Sequence, residues 1–270
     1  MTNDKLPMTN GDSLSAQAIT RGLGTLILGQ HLEFHARVES TNDVARRLAD
    51  VGAVDGSVVI ADEQTAGRGR MGRTWTAPPG SSILMSLILR PRLKPEHVAR
   101  VTMAAALGAS DGIRAATELD AQIKWPNDIV LRGKKCAGIL AEASTVGDQV
   151  EYVIVGLGVN VNFSTAEVEG TAADATTLRD ELGKPVSRVP LIQAILRAIE
   201  NCYLRLGAGE NLRAEFAARL ATLNQTVRAR TPWGAENGVA EDVDDDGALL
   251  LRRRDGSITR LIAGDVTLSH

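Results

Sequence analysis

The 270-residue sequence predicts an α+β chain, and three observations carry that reading. Apolar runs of strand length recur at residues 57–61, 82–90, 136–141 and 153–161. Two long stretches read as helices. Residues 96–117 are rich in small side chains, and residues 187–206 carry Ile192, Ile195, Leu196, Ile199, Tyr203 and Leu206 at helical spacing. From about residue 222 the pattern changes to short strands separated by Asp-Gly turns.

Composition bounds the possibilities. The chain is 44% hydrophobic and 23% charged, enough for one sizeable core plus a small second unit. Its net charge of −3 (30 Lys and Arg against 33 Asp and Glu) argues against a partner held by overall charge, such as nucleic acid. Cys136 and Cys202 lack metal-ligand spacing, and His31, His35, His97 and His270 form no zinc pattern. No signal peptide and no apolar span of membrane length occurs, so a cytoplasmic protein without a membrane partner is expected.

Residues 1–12 are polar and expected to be disordered, and 13–24 suggest a short helix, setting 1–24 apart as an N-terminal segment. Too little chain precedes the first strand, 33–38, for a helix-turn-helix module. Ser40-Thr-Asn-Asp43 then has the form of a capping box. Val44, Leu48 and Val51 are expected to carry the following helix's apolar face, and Gly52 its C-cap. Ser40, Thr41 and Asn42 read either as caps or as polar groups at a helix N-terminus facing a ligand.

Residues 64–76, Gln-Thr-Ala-Gly-Arg-Gly-Arg-Met-Gly-Arg-Thr-Trp-Thr, interleave Arg68, Arg70 and Arg73 with Gly67, Gly69 and Gly72. Glycine lets backbone approach a ligand, and arginine's planar fork matches carboxylate and phosphate. The loop spells G-x-G-x-x-G, yet Trp75-Thr-Ala-Pro-Pro-Gly80 follows where a dinucleotide fold needs a helix. An anion site and a solvated basic loop both remain open on the loop alone.

A strand at 121–124 ends in Lys124-Trp-Pro-Asn-Asp128, where Pro126 fixes a turn. After a strand at 129–131 and a turn at 132–134, Lys135 stands at the mouth of the strand at 136–141. It is a candidate anion contact or a solvated hairpin lysine. Gly156 and Gly158 weaken the strand at 153–161 unless something lies close against it, and Asn160 is polar where the apolar run ends. Residues 172–178 precede a helical region, 211–220 read as a further helix, and strands follow near 226–229, 239–243, 248–252 and 258–262. The acidic run 241–246 and Arg252–Arg254 read as solvated edges.

Together, Ser40-Thr-Asn42, the Gln64–Trp75 loop, Lys124-Trp-Pro-Asn-Asp128, Lys135-x-Ala-Gly-Ile-Leu140 and Gly156-x-Gly-x-Asn160 closely resemble the motifs of the biotin–protein ligases, in the family's order. Lipoate ligases and octanoyltransferases share that fold but match the Arg-Gly loop and Lys-Trp-Pro-Asn-Asp less well. The resemblance implies a mixed-sheet, class II synthetase-like biotin/lipoate ligase catalytic domain over 25–221 and a small SH3-like β-barrel over 222–270, in the monofunctional type without a DNA-binding domain.

It further implies a two-step reaction with ATP, biotin and Mg²⁺. Biotin's carboxylate attacks the α-phosphate to give biotinyl-5′-AMP and pyrophosphate. A lysine of a biotin carboxyl carrier protein or domain then takes the acyl group. A weak or ligand-dependent homodimer is left open. Arg68, Arg70, Lys135 and Asp128 are implied as catalytic, Asp128 either orienting Lys124 or helping to deprotonate the acceptor lysine. Ser40, Thr41, Asn42, Gln64, Gly69, Gly138 and Gly156 are implied to join Arg68, Arg70 and Lys135 around biotin. Arg73, Trp75, Lys124, Asn127 and Asn160 are implied to join the same cations around ATP, with Arg73 on the pyrophosphate and Trp75 stacked on adenine. The empty loop is expected to be exposed and mobile, with few apolar anchors, and to close on biotin or the adenylate. The alternatives are a lipoate or octanoate transferase and a non-catalytic biotin- or nucleotide-binding regulator, which has no need of three arginines.

Overall fold

The computed structural model describes residues 13–168, 174–231 and 234–268. In chain order its elements are α1 (Ala16–Thr20), β1 (Leu32–His35), α2 (Thr41–Asp50), β2 (Ser57–Ala61), β3 (Ser82–Leu89), α3 (Ala99–Thr117), β4 (Gln122–Lys124), β5 (Asp128–Leu131), β6 (Lys134–Val146) and β7 (Gln149–Asn160). There follow α4 (Leu178–Leu182), α5 (Arg188–Gly207), α6 (Arg213–Arg219), β8 (Thr226–Thr231), β9 (Gly234–Val243), β10 (Leu249–Arg252), β11 (Ile258–Leu261) and β12 (Asp265–Leu268). The segment before α4 that had been read from residue 172 lies partly outside the described residues.

Seven strands form one mixed sheet in the order β1-β2-β3-β7-β6-β5-β4. Only β1 and β2 run parallel, and the remaining neighbours are antiparallel. Central β3 is buried along its whole length, as its unbroken apolar run requires. The small residues of α3 serve a helix–helix contact as well as the sheet. A Cβ at Gly108 would stand 2.4 Å from Ile199 Cα, and one at Gly112 2.4 Å from Ile195 Cα, so α5 lies directly on α3's backbone. The apolar stripe of α5 is buried as its spacing predicts.

On the opposite side of the sheet, α2 packs a small cluster of Ala45, Ala49, Val59, Ile88, Tyr152 and Ile154. Here the sequence expectation needs correction. Val44 and Leu48 are only partly buried, and Val51 is 82% exposed. The helix sits too close to the sheet for branched side chains, so alanines form its inner face. Gly52 takes φ +92°, the left-handed value expected past a helix end.

The C-terminal region forms a five-stranded antiparallel sheet, β11-β10-β9-β8-β12. The final strand was not legible in sequence because its four residues alternate too briefly. The acidic run is not wholly solvated. Asp246 receives bonds from His97 (2.8 Å) and Arg100 (2.7 Å) and so ties this sheet to the segment entering α3. Burial pushes the Asp246 carboxyl up, but the His97 and Arg100 bonds outweigh it and hold it below the usual carboxylate range. Arg252 and Arg253 pair with Glu241 and Glu236 on β9 rather than standing free.

One apolar core runs through both sheets. Trp125, 2% exposed, sits at the junction. Its amide donates to Thr222 Oγ1 (2.9 Å) and its indole Nε1 to the Gly247 carbonyl (2.8 Å). Among the described residues no helix is long and apolar enough to cross a membrane.

Candidate active site

The five motif segments converge on one cavity of about 340 Å³ on the α2 side of the sheet. That volume falls in the roughly 300–1,000 Å³ range of small-molecule sites. Its floor is β6 and β7, where Gly138 faces Gly158 and Leu140 faces Gly156. The glycines leave room for approaching side chains. A Cβ at Gly156 would stand 2.2 Å from Asn42 Oδ1, and one at Gly158 2.5 Å from the Trp75 ring.

One end of the cavity is neutral and hydrogen-bonding. Ser40 is the N-cap of α2 but its side chain makes no cap bond, so the capping-box reading fails. Gln64 reaches in instead: its Oε1 accepts from the Thr41 amide (2.7 Å) and hydroxyl (3.0 Å). Buried Ser86 completes the set, donating to Asn42 Oδ1 (2.6 Å) and lying 2.8 Å from Thr41 Oγ1. Sequence reading passed over Ser86, although a serine inside the run Ile-Leu-Met-Ser-Leu-Ile-Leu was a visible signal.

The other end is cationic, and among the described residues every expected cation but Lys124 is held by a protein acceptor. Arg68 bonds Asp43 (2.6 Å) and Glu142 (3.3 Å). Arg70 bonds Asn127 Oδ1 (2.7 Å) and the Gly264 carbonyl (3.1 Å). Burial lowers the Arg70 guanidinium from its ordinary value, against the pull of Asp128 and Asp265. Arg73 pairs with Asp265 (2.7 Å) of β12. The loop is largely exposed, as expected, yet polar ties hold it: three arginines join it to α2, to β6 and to the C-terminal sheet.

Lys135 Nζ pairs with Asp128 Oδ1 (2.7 Å), so the cation Asp128 holds is Lys135 rather than Lys124, the first of the two roles expected for it. A bulge in the β5–β6 ladder puts Asp128 opposite Gly138, and the Lys135 chain crosses that glycine to reach it. Lys124 lines the cavity beside Asp128 in the β4–β5 register. Trp75 lies along the glycine floor with Lys135 Nζ 5.7 Å from its ring centroid, and its buried indole Nε1 has no partner among the described residues. That orphaned donor suits a ligand contact. Asn127 Nδ2 donates to the Ile139 carbonyl (2.5 Å), and Asn160 Nδ2 to the Thr176 carbonyl (3.2 Å), so both are fixed at the cavity wall. Gly69 lines the wall of the loop. The cavity thus brings together all the expected residues. Asp43, Glu142 and Asp265 are additions that pairing, not sequence pattern, reveals.

A protein-family model described as the Biotin/lipoate A/B protein ligase family matches residues 34–160, and the Biotin protein ligase C terminal domain matches residues 222–269. The bifunctional ligase/repressor BirA of Bacillus spizizenii is 38% identical over 258 residues, 94% of this chain and 79% of that protein. The biotin--[acetyl-CoA-carboxylase] ligase of Mycobacterium tuberculosis is 34% identical over 96% of this chain and 98% of its own. A solved structure of biotin protein ligase from Aquifex aeolicus in complex with biotin and ATP superposes with a TM-score of 0.75 at 26% identity, covering 89% of this chain and 99% of that one. The chain belongs to the biotin–protein ligase family.

Proposed function

We propose that this cavity joins biotin to ATP as biotinyl-5′-AMP, releasing pyrophosphate, and then passes the biotinyl group to a lysine of acetyl-CoA carboxylase. The observation that carries this reading is the division of one cavity into a neutral hydrogen-bonding end and a cationic end. Ser40, Thr41, Asn42 and Gln64, with Ser86 braced behind Thr41 and Asn42, offer uncharged donors and acceptors to a cyclic urea. Arg68, Arg70 and Lys135 offer positive charge where a carboxylate must meet an α-phosphate.

In the first step a carboxylate oxygen of biotin bonds to the α-phosphorus, and the bond from phosphorus to the bridging oxygen breaks. Pyrophosphate leaves with that electron pair, toward Arg73. In the second step the acceptor amine attacks the acyl carbon, AMP departs with the oxygen, and Asp128 is the carboxylate beside Lys135 for the amine proton. The protein's present pairs, Arg68 with Asp43 and Glu142 and Arg73 with Asp265, keep the cations oriented until the anions arrive. Such exchange is cheap, because half-exposed pairs are worth roughly 0–1 kcal/mol.

Mg²⁺ belongs to the same reading, arriving with ATP. Asp128, Asp174 and Asp265 line the cavity and are the carboxylates that would be within its reach. When bound it neutralises phosphate charge. The acceptor lysine is assigned to a biotin carboxyl carrier protein or domain in the cytoplasm. Nucleic acid and membrane are not partners in this reading.

The test is pyrophosphate release that requires both biotin and Mg-ATP, with a mass gain on a carrier domain only when all are present. Release without biotin, or no mass gain, sinks the proposal. The nucleotide end has its own test. A methyl group at Gly158 has no room beside Trp75. Gly158→Ala is expected to raise the KM for ATP about tenfold, the loss of one aromatic stacking contact of roughly 1.5 kcal/mol. Calorimetry should find biotin affinity within about twofold of wild type. An unchanged KM for ATP removes Trp75 from the nucleotide site.

A further inference from the structure

Glu142 lies on β6 outside every motif that carries the reading above, yet its carboxylate joins three segments. It accepts from Asn42 Nδ2 at 2.7 Å, pairs with Arg46 at 2.8 Å and with Arg68 at 3.3 Å. We propose that Glu142 is a positioning residue that fixes which end of the Asn42 carboxamide faces the ligand, and so helps select a ligand bearing N–H groups at the neutral end of the cavity. The proposal rests on the biotin reading of that end.

A carboxamide is nearly symmetric in shape, and its two ends differ only in donating or accepting. A carboxylate can only accept. Glu142 therefore obliges Asn42 to turn its NH₂ toward β6, which leaves Oδ1 toward Ser86 and Gly156. Asn42 is 4% exposed and lines the cavity, so its orientation is not averaged by water. Ser86 uses one lone pair of Oδ1, and the carbonyl oxygen retains a second for an incoming N–H.

Arg46 explains why this orientation survives turnover. When Arg68 leaves Glu142 for a substrate anion, Arg46 still balances the carboxylate, and the bond to Asn42 need not break. A cyclic urea presents N–H groups to that oxygen. A dithiolane or plain alkyl chain presents none and leaves a buried acceptor unpaired, which is how a hydrogen-bonding site rejects an analogue. Glu142 would thus contribute to the choice of biotin over lipoate without touching either.

The experiment is a double-mutant cycle read as the biotin Kd by calorimetry, with lipoate as the competitor and a thermal melt on each variant. Asn42→Ala and Glu142→Ala are each expected to weaken biotin about tenfold, one hydrogen bond's worth. The double variant should be no weaker than Asn42→Ala alone, because Glu142 acts through Asn42. Glu142→Gln can still accept from Asn42 and should return to within about threefold of wild type. If Glu142→Ala does not fold, Glu142→Met fills the volume without an acceptor and carries the same expectation. Discrimination against lipoate should fall in step with biotin affinity. Should Asn42→Ala bind biotin normally, the reading of the neutral end itself fails. Should Asn42→Ala weaken binding while Glu142→Ala does not, or should the two losses add, Glu142 has no positioning role and the biotin reading stands.

Discussion

Arg68→Ala is expected to slow biotin- and ATP-dependent pyrophosphate release by about 10²–10³-fold, the loss that follows removal of one preorganised donor to a developing charge. The fold should hardly notice. The Arg68 side chain is 39% exposed, and its partners Asp43 and Glu142 also reach solvent, so the pairs it makes are worth at most roughly 1 kcal/mol. Glu142 keeps Arg46 after the substitution, which limits the repulsion left behind. The check is a single-turnover measurement of biotinyl-AMP beside a thermal melt. A variant that makes the adenylate at the wild-type rate removes Arg68 from the chemistry. A melting temperature lowered by tens of degrees makes it a structural residue instead.

The second large effect lies at the junction of the two sheets. Trp125→Ala is expected to cost about 3–5 kcal/mol of stability, the range for emptying a buried aromatic site. The ring is 2% exposed and belongs to the core shared by both sheets, and its Nε1 donates to the Gly247 carbonyl across the junction. Trp125→Phe keeps most of the packing and loses that bond, so roughly 1 kcal/mol is expected. Denaturant unfolding of both variants measures the difference, and an unchanged midpoint for Trp125→Ala would show that the junction carries no stability. The same contact argues against cutting the chain after Leu220 to isolate the cavity. The cut removes Thr222 and Gly247, and with them both acceptors of Trp125. It also releases Arg73 and Arg70 from Asp265 and Gly264. The C-terminal sheet therefore reaches the cavity through the Arg-Gly loop, not only through its own surface.

Sequence alone determined the elements whose signals are local. Long apolar runs gave the central strands, a helical stripe gave α5, and Asp-Gly pairs gave the turns of the C-terminal sheet, because periodicity and turn chemistry act within a few residues. It also determined the membership of the cavity, since five motifs in register named residues that the fold does bring together. The pairing of those residues was decided by tertiary structure. Asp128 turns to Lys135 because a bulge and a glycine open the path, and the first amide of α2, at Thr41, finds its acceptor in Gln64 from another segment. Val51 faces solvent because the sheet admits only alanine beneath α2. Glu142, Ser86 and Asp265 entered the site only in three dimensions. A charged or polar side chain takes its meaning from the partner across the fold, and no spacing along the chain records that partner.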